Sequence, residues 1–256
     1  MIISFTNQKG GVGKTTSVLN LGAYLALQGH KVLLIDTDPQ SNLTSGLGVN
    51  ASQLKKPSVY DLLVNDKPAS EIFFLTNQSN LYLIPSNIEL AGAEIELVGK
   101  FSREHILKSA LQPLKKLFDY IIIDCPPSLG IITINSLVAS DYICIPVQCE
   151  YYALEGISQL VNTINLVKKG LNTNLQLGGV LMTMFDSRTK LSTEVVDEVK
   201  KYFKEKVFDT IIPRNVRLSE APSHGIPINL YSSDSSGAKA YEALAKEFTK
   251  RIKISK

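Results

Sequence analysis

The chain has 256 residues, 44% of them apolar and 20% charged, with no long Pro/Gly/Ser tract and no internal period. That composition excludes a disordered or repeat protein and supplies a substantial core, expected here as a single domain over residues 1–256. The net charge is +3 and sits in the second half: from Arg188 onward there are 14 Lys/Arg against 9 Asp/Glu, which suits a solvated surface or a face for an anionic polymer.

No run approaches the ~20 apolar residues needed to span a bilayer, and no leader pattern precedes the first apolar run, so a cytoplasmic location is expected. Cys125, Cys144 and Cys149 form no C-x-x-C pair, and His30, His105 and His224 lack ligand spacing. Core packing accounts for the cysteines, and neither set points to a metal.

In chain order, short runs rich in β-branched residues predict strands at Ile2–Thr6, Val32–Ile35, Leu81–Ile84, Tyr120–Ile123, Tyr142–Val147, Leu177–Met184 and Thr210–Ile212. Between them, helical patterns cover Thr15–Gln28, Ile88–Val98, Arg103–Leu117, Ile131–Ala139, Glu155–Lys168, Ser192–Lys204 and Gly237–Lys253. Continuous apolar strands alternating with amphipathic helices predict an α/β fold, a doubly wound, mostly parallel twisted sheet with helices on both faces. Ligands in such folds bind beyond the carboxyl ends of the strands. The loops after Thr6, Ile35 and Ile123 are therefore the places to look.

After the first strand comes Lys9-Gly10-Gly11-Val12-Gly13-Lys14-Thr15-Thr16, running straight into a helical pattern. Glycines let successive N–H groups and the helix N-terminus face phosphate oxygens. Lys14 is placed to reach the β- and γ-phosphates of ATP, and Thr15 to put its hydroxyl on Mg²⁺. The general pattern G-x-x-x-x-G-K-S/T has its first glycine where this chain has Gln8, and a second lysine, Lys9, stands at the mouth of the loop.

The second strand runs into Asp36-Thr37-Asp38-Pro39-Gln40, two carboxylates beside a phosphate loop, which can organise a metal ion or orient water. A third carboxylate, Asp124, follows Tyr120-Ile121-Ile122-Ile123. Any buried strand can end in Asp, but in a chain that already holds a phosphate loop this one is read as a Mg²⁺ holder acting with Thr15.

The loop K-G-G-x-G-K-T-T resembles the deviant Walker A of the ParA/MinD/nitrogenase iron-protein superfamily, and D-x-D-P-Q resembles its second acidic motif. Similarity to the short, chromosomal ParA type often called Soj extends over Thr6–Asn20, Asp36–Gly48, Leu90–Val98, Asp124–Gly130, Pro146–Gly156 and Ile212–Gly225. The resemblance implies a homodimer in which Lys9 crosses to the partner's nucleotide and Gly10 lies where two subunits approach closely. It further implies that Lys9, Lys14 and Asp38 serve catalysis, Asp38 by orienting or activating water, with Asp36 supporting the Mg²⁺ shell and Pro213 and Asn215 bordering the adenine.

It also implies ATP-dependent binding of non-specific double-stranded DNA, a nucleoid-associated location, and a ParB-type centromere-binding partner that accelerates slow hydrolysis. Arg188, Lys200, Lys204, Arg214, Arg217, Lys246 and Lys250 are the DNA candidates, with Arg214 and Arg217 leading. The first strand starts at residue 2, so the N-terminal helix-turn-helix of larger ParA proteins is not expected.

Two other members of the superfamily stay in view. MinD shares Lys9, Lys14, Asp38 and Asp124 but ends in a membrane-targeting helix. In this chain Ala238, Tyr241, Leu244, Ala245, Phe248 and Ile252 form one apolar face suited to docking on a sheet, and Lys239, Lys246, Lys250 and Lys253 lie on another. A membrane role is therefore disfavoured, and the alternative retained is a MinD-like or cargo-positioning ATPase. The cysteine pattern does not match a bridged iron–sulfur cluster.

Overall fold

In the computed structural model the described residues are 1–50, 57–150 and 155–252. Residues 151–154 of the Pro146–Gly156 segment and Lys253 of the basic helix face lie outside them. The first half of the chain runs β1 (Ile2–Phe5), α1 (Lys14–Leu27), β2 (Val32–Asp36), α2 (Asn42–Gly46), α3 (Val59–Leu63), β3 (Phe74–Leu75), β4 (Leu81–Ile84), α4 (Leu90–Glu96) and α5 (Ile106–Leu111). It continues with β5 (Tyr120–Asp124), α6 (Ile131–Ala139), β6 (Tyr142–Gln148), α7 (Glu155–Gly170), β7 (Gln176–Thr183), α8 (Lys190–Phe203), α9 (Val216–Glu220), α10 (Ile228–Tyr231) and α11 (Ser236–Arg251).

Among the described residues the strands form one seven-stranded sheet in the order β3-β4-β2-β5-β1-β6-β7, parallel throughout except for the short antiparallel edge β3. Alternation along the apolar strands divides their side chains between two layers. Ile3, Phe5, Leu34, Tyr120 and Ile122 pack with α1 and α11, and the intervening Ile2, Leu33, Ile35, Ile121 and Ile123 pack with α3 to α6. Both faces are thereby covered, as a parallel sheet requires.

Two expectations are corrected. Thr210–Ile212 is not a strand: the chain from Val207 to Pro213 meets β7 and its extension only at isolated bridges, Val180 to Val207 and Phe185 to Pro213. Backbone bonds nevertheless tie it down, from Phe208 N to Val180 O at 2.9 Å and from Ile212 N to Met182 O at 2.9 Å. Arg103–Leu117 is not one helix but a 3₁₀ turn, α5 and a second 3₁₀ turn, Gln112–Lys116. Pro113 lacks the N–H that a continuing α-helix would use. The basic helix at the end of the chain starts at Ser236, where Ser235 Oγ caps it by accepting from Ala238 N.

Candidate functional site

Strand order does what sequence distance cannot. β5 lies between β2 and β1, with Phe5 opposite Asp124 and Asp36 opposite Asp124 in register. The loops leaving β1, β2 and β5 therefore open side by side at one edge of the sheet.

The loop after β1 is held from several directions. Gly11 and Gly13 take φ of 74° and 85°, a region open to glycine and strained for other residues. Asn7 Nδ2 donates to Pro146 O at 2.7 Å, and Thr183 Oγ1 at the end of β7 donates to Val12 O at 2.8 Å. Lys14 is buried and donates from Nζ to Lys9 O at 3.2 Å. Burial pulls its pKa down, while Asp124 and other neighbours pull it back up. An ammonium held inside the loop this way is directed at whatever anion the loop encloses.

Asp36 and Asp124 differ in how they are satisfied. Asp36 accepts Asp38 N at 3.1 Å on Oδ1, and on Oδ2 the Thr44 N at 2.9 Å and Thr44 Oγ1 at 2.7 Å. Its carboxyl is pushed up to about 6 by burial, against the Thr44 and Asp38 hydrogen bonds. Asp124 is equally buried, but neither of its oxygens has a hydrogen-bond partner among the described residues. Burial first and the Asp36 charge next hold its pKa well above the usual carboxylate range, although Thr15 and Lys14 are near enough to draw it down.

A buried, unsatisfied carboxylate is costly unless a cation completes it. The donor set of Asp124 and the Thr15 hydroxyl is hard oxygen, the kind that suits Mg²⁺. Asp38 is buried at the rim, its Oδ1 accepting Gln40 N at 3.0 Å.

Two cavities meet at this edge. One of about 560 Å³ is lined by Gly10 to Thr16 apart from Val12, by Asp38, Pro127 and Pro222, and by residues of α2. The other, about 400 Å³, shares Gly13 and Thr16 and is lined by Pro213, Asn215, Ile212 and Tyr241. A compartment lined by the phosphate loop beside one lined by Pro213 and Asn215 matches the two ends of a nucleotide. Asn215 also caps α9 through its Oδ1, which accepts Arg217 N at 2.9 Å.

The profile of a family described as an AAA domain matches residues 1–177. The sporulation initiation inhibitor protein Soj of Bacillus subtilis (strain 168) is 61% identical over 246 residues, covering 96% of this chain and 97% of that protein. The chromosome-partitioning ATPase Soj of Treponema pallidum (strain Nichols) is 54% identical over 247 residues, covering 96% of each. The chain belongs to the ParA/Soj family of chromosome-partitioning ATPases. Among solved structures, cobyrinic acid a,c-diamide synthase from Mycobacterium smegmatis with bound ADP and magnesium superposes with a TM-score of 0.84 at 40% identity, covering 96% of this chain and 92% of that one.

Other expected residues of this ParA/Soj chain sit as follows. Lys9 Nζ lies 3.5 Å from Glu150 Oε2 of its own chain, and Arg214 lies 3.6 Å from the other oxygen of the same carboxylate. Arg188 forks onto Asp186, Arg217 pairs with Glu220 and Lys246 with Glu242. Lys200, Lys204 and Lys250 are exposed and form no ion pair among the described residues. Arg251 bonds Glu205 O and Val207 O, which ties the end of α11 to the turn Lys204–Lys206.

Some supporting residues were not singled out in the sequence. Thr44 fixes Asp36, Thr183 fixes the phosphate loop, and Asn20 Oδ1 accepts Ile228 N at 2.8 Å. Ser17 Oγ meets Tyr241 Oη at 3.0 Å, joining α1 to α11. Single threonines and asparagines at these positions carry no pattern of their own. Tyr241 reads as core because its ring is core, and only the hydroxyl is polar.

Among the described residues no helix is long and apolar enough to cross a membrane.

Proposed function

We propose that residues 1–256 form one P-loop domain that binds ATP and Mg²⁺, dimerises around the nucleotide, holds non-specific DNA in that state and lets go on hydrolysis. The observation that carries this reading is the pair of unsatisfied, buried Asp124 oxygens beside the Lys14 loop, with Asp38 at the rim of the same cavity. The bound nucleotide and magnesium in the similar M. smegmatis structure give it further support.

The loop N–H groups and Lys14 bind the phosphates, and Asp124 with the Thr15 hydroxyl would hold Mg²⁺, which would supply charge neutralisation for the transferred phosphoryl group. Asp36 fixes the Asp38 backbone and would support the Mg²⁺ shell. Asp38 orients the attacking water and accepts its proton. Pro213 and Asn215 border the base.

Lys9 leaves Glu150 and engages the partner subunit's nucleotide. An exposed pair of this kind contributes at most about 1 kcal/mol, so the exchange costs little. A ParB-type partner accelerates a slow intrinsic turnover and so sets where on the nucleoid the protein detaches.

Asp38→Ala should keep ATP-dependent dimerisation while turnover falls on the order of 100-fold or more, as for loss of a proton-accepting group. Phosphate release and sedimentation with ATP and Mg²⁺ measure the two. Undiminished turnover would remove Asp38 from this scheme.

A further inference from the structure

Helix α4 and the 3₁₀ turn Leu97–Gly99 that follows it bury one stripe, Leu90, Ala93 and Leu97, against the sheet layer. Its opposite stripe is also apolar: Ile88, Ala91, Ile95 and Val98 recur at three- and four-residue steps, and the chain then presents Phe101. Ile88 is 71% exposed, Ile95 79%, Val98 63% and Phe101 fully exposed. Phe101 also forms the rim of a cavity of about 440 Å³ that runs along Pro68, His105, Ile106 and Ala110. A helix apolar on both sides, ending at an open cavity with an aromatic at its edge, has the anatomy of a protein interface.

Charge identifies what covers it. Glu89, Glu94 and Glu96 flank the stripe, and none has a cationic partner among the described residues. Glu96 instead accepts from Tyr60 Oη, and Glu89 from Asn87 Nδ2. The nearby cations are already engaged, Lys100 by Asp66 and the Leu63 and Val64 carbonyls, Arg103 by Glu104 and Val98 O. This acidic border repels DNA and anionic lipid. In a two-fold contact between copies it would face itself, like charge against like.

We propose that the outer face of α4 and Phe101 is the docking surface for a partner-protein segment that alternates cationic and apolar side chains, and that this is where the partner acts on hydrolysis. The proposal rests on the reading of the chain as a partner-stimulated ATPase. A mechanical route exists: the Glu94 carboxylate packs directly over Gly130, the N-cap residue just before α6 at the end of the loop from Asp124. Pro127 of that loop lines the phosphate cavity. A segment clamped on α4 therefore presses on the wall of the site.

The test uses the full-length chain with intact ParB-type partner and DNA, and two double variants, Ile95→Ser with Val98→Ser and Glu89→Lys with Glu96→Lys. Partner-stimulated turnover, basal turnover, thermal melting and ATP-dependent sedimentation are read for each. Expected is unchanged basal turnover and dimer, with the partner concentration for half-maximal stimulation raised at least about ten-fold in both variants. Lys→Glu changes in the partner segment should restore stimulation of the Glu→Lys variant.

Stimulation that survives in both variants overturns the surface while leaving the functional reading intact. Loss of the ATP-dependent dimer in the Ile95/Val98 variant overturns it too, by making the face a contact between copies. A wild-type chain that the partner does not stimulate removes the functional reading itself, and this surface with it.

Discussion

In the proposed dimer, Gly10 is a residue idle in one subunit and decisive in two. A Cβ built on it meets nothing within 4 Å, and its φ is not in the left-handed region, unlike Gly11 and Gly13. Gly10→Val should therefore change folding stability by no more than about 0.5 kcal/mol, the range for open surface sites. If Gly10 meets a second loop across the proposed interface, the same change abolishes ATP-dependent dimerisation. Sedimentation velocity with and without ATP and Mg²⁺, beside a thermal melt, checks both halves.

The cysteines give a second residue-scale prediction with a defined sign. Burial pushes the Cys125 thiol up to about 12 and raises Cys144 as well. A raised thiol pKa leaves the reactive thiolate scarce below it, on the order of 10⁻⁴ of Cys125 at pH 8. Neither thiol should react with an alkylating reagent at pH 8 until denaturant is added, and mass spectrometry of the labelled peptides reads this directly. Fast labelling of Cys125 in the native chain would mean that the strand end carrying Asp124 opens.

At the scale of elements, the wall over the phosphate cavity depends on two chain segments in backbone contact. Gly225 has φ 68°, and a Cβ there would lie 2.5 Å from Gly48 Cα, just beyond α2. Pro222 and Ser223, which line the cavity, precede it in the same turn. Gly225→Ala should lower stability by more than about 2 kcal/mol, combining the left-handed backbone cost with a clash that no side-chain rotation relieves. Gly29→Ala is the matched control, because Gly29 has φ 89° with nothing within 4 Å; it should cost only about 1 kcal/mol. Denaturant unfolding of the two variants separates strain from collision, and nucleotide affinity should fall for Gly225→Ala alone.

Element by element, the parallel strands were legible because buried strands of a two-sided sheet are continuous apolar runs. Thr210–Ile212 reads the same way but lies along β7 without forming a ladder. The helix expected over Arg103–Leu117 had its breaker, Pro113, in plain view, but the left-handed turn at Ser102 (φ 51°) had none. The short β3, α2 and α9 carry too few residues to show a period.

Across the whole molecule, the basic surface sorts itself by pairing. Arg214 and Arg217, foremost among the expected DNA contacts, are engaged by Glu150 and Glu220, and Arg214 lines the second cavity. Lys200, Lys204 and Lys250 keep their charge for other ligands. Replacing those three by Gln should reduce the slope of log affinity for DNA against log salt by about 0.9 for each lysine that contacts a phosphate. Arg217→Gln should move it less, because the free arginine already has a carboxylate counter-ion. Fluorescence anisotropy with duplex DNA over a salt series, in the ATP-bound state, measures both. An equal effect of Arg217→Gln would show that its pair with Glu220 opens on DNA.

By itself the sequence determined the phosphate loop, its second lysine, the three strand-end carboxylates and the family, because a Gly-rich loop before a helix and an Asp after an apolar run are local patterns with local causes. Only the tertiary structure decided that β5 lies between β2 and β1, which sets Asp36 against Asp124 and leaves Asp124 open to a cation while Thr44 occupies Asp36. It also decided which surface cations are spent on carboxylates and which apolar stripe of α4 stays uncovered. Those outcomes depend on which side chains meet across long separations in sequence, and no pattern within a single segment records that.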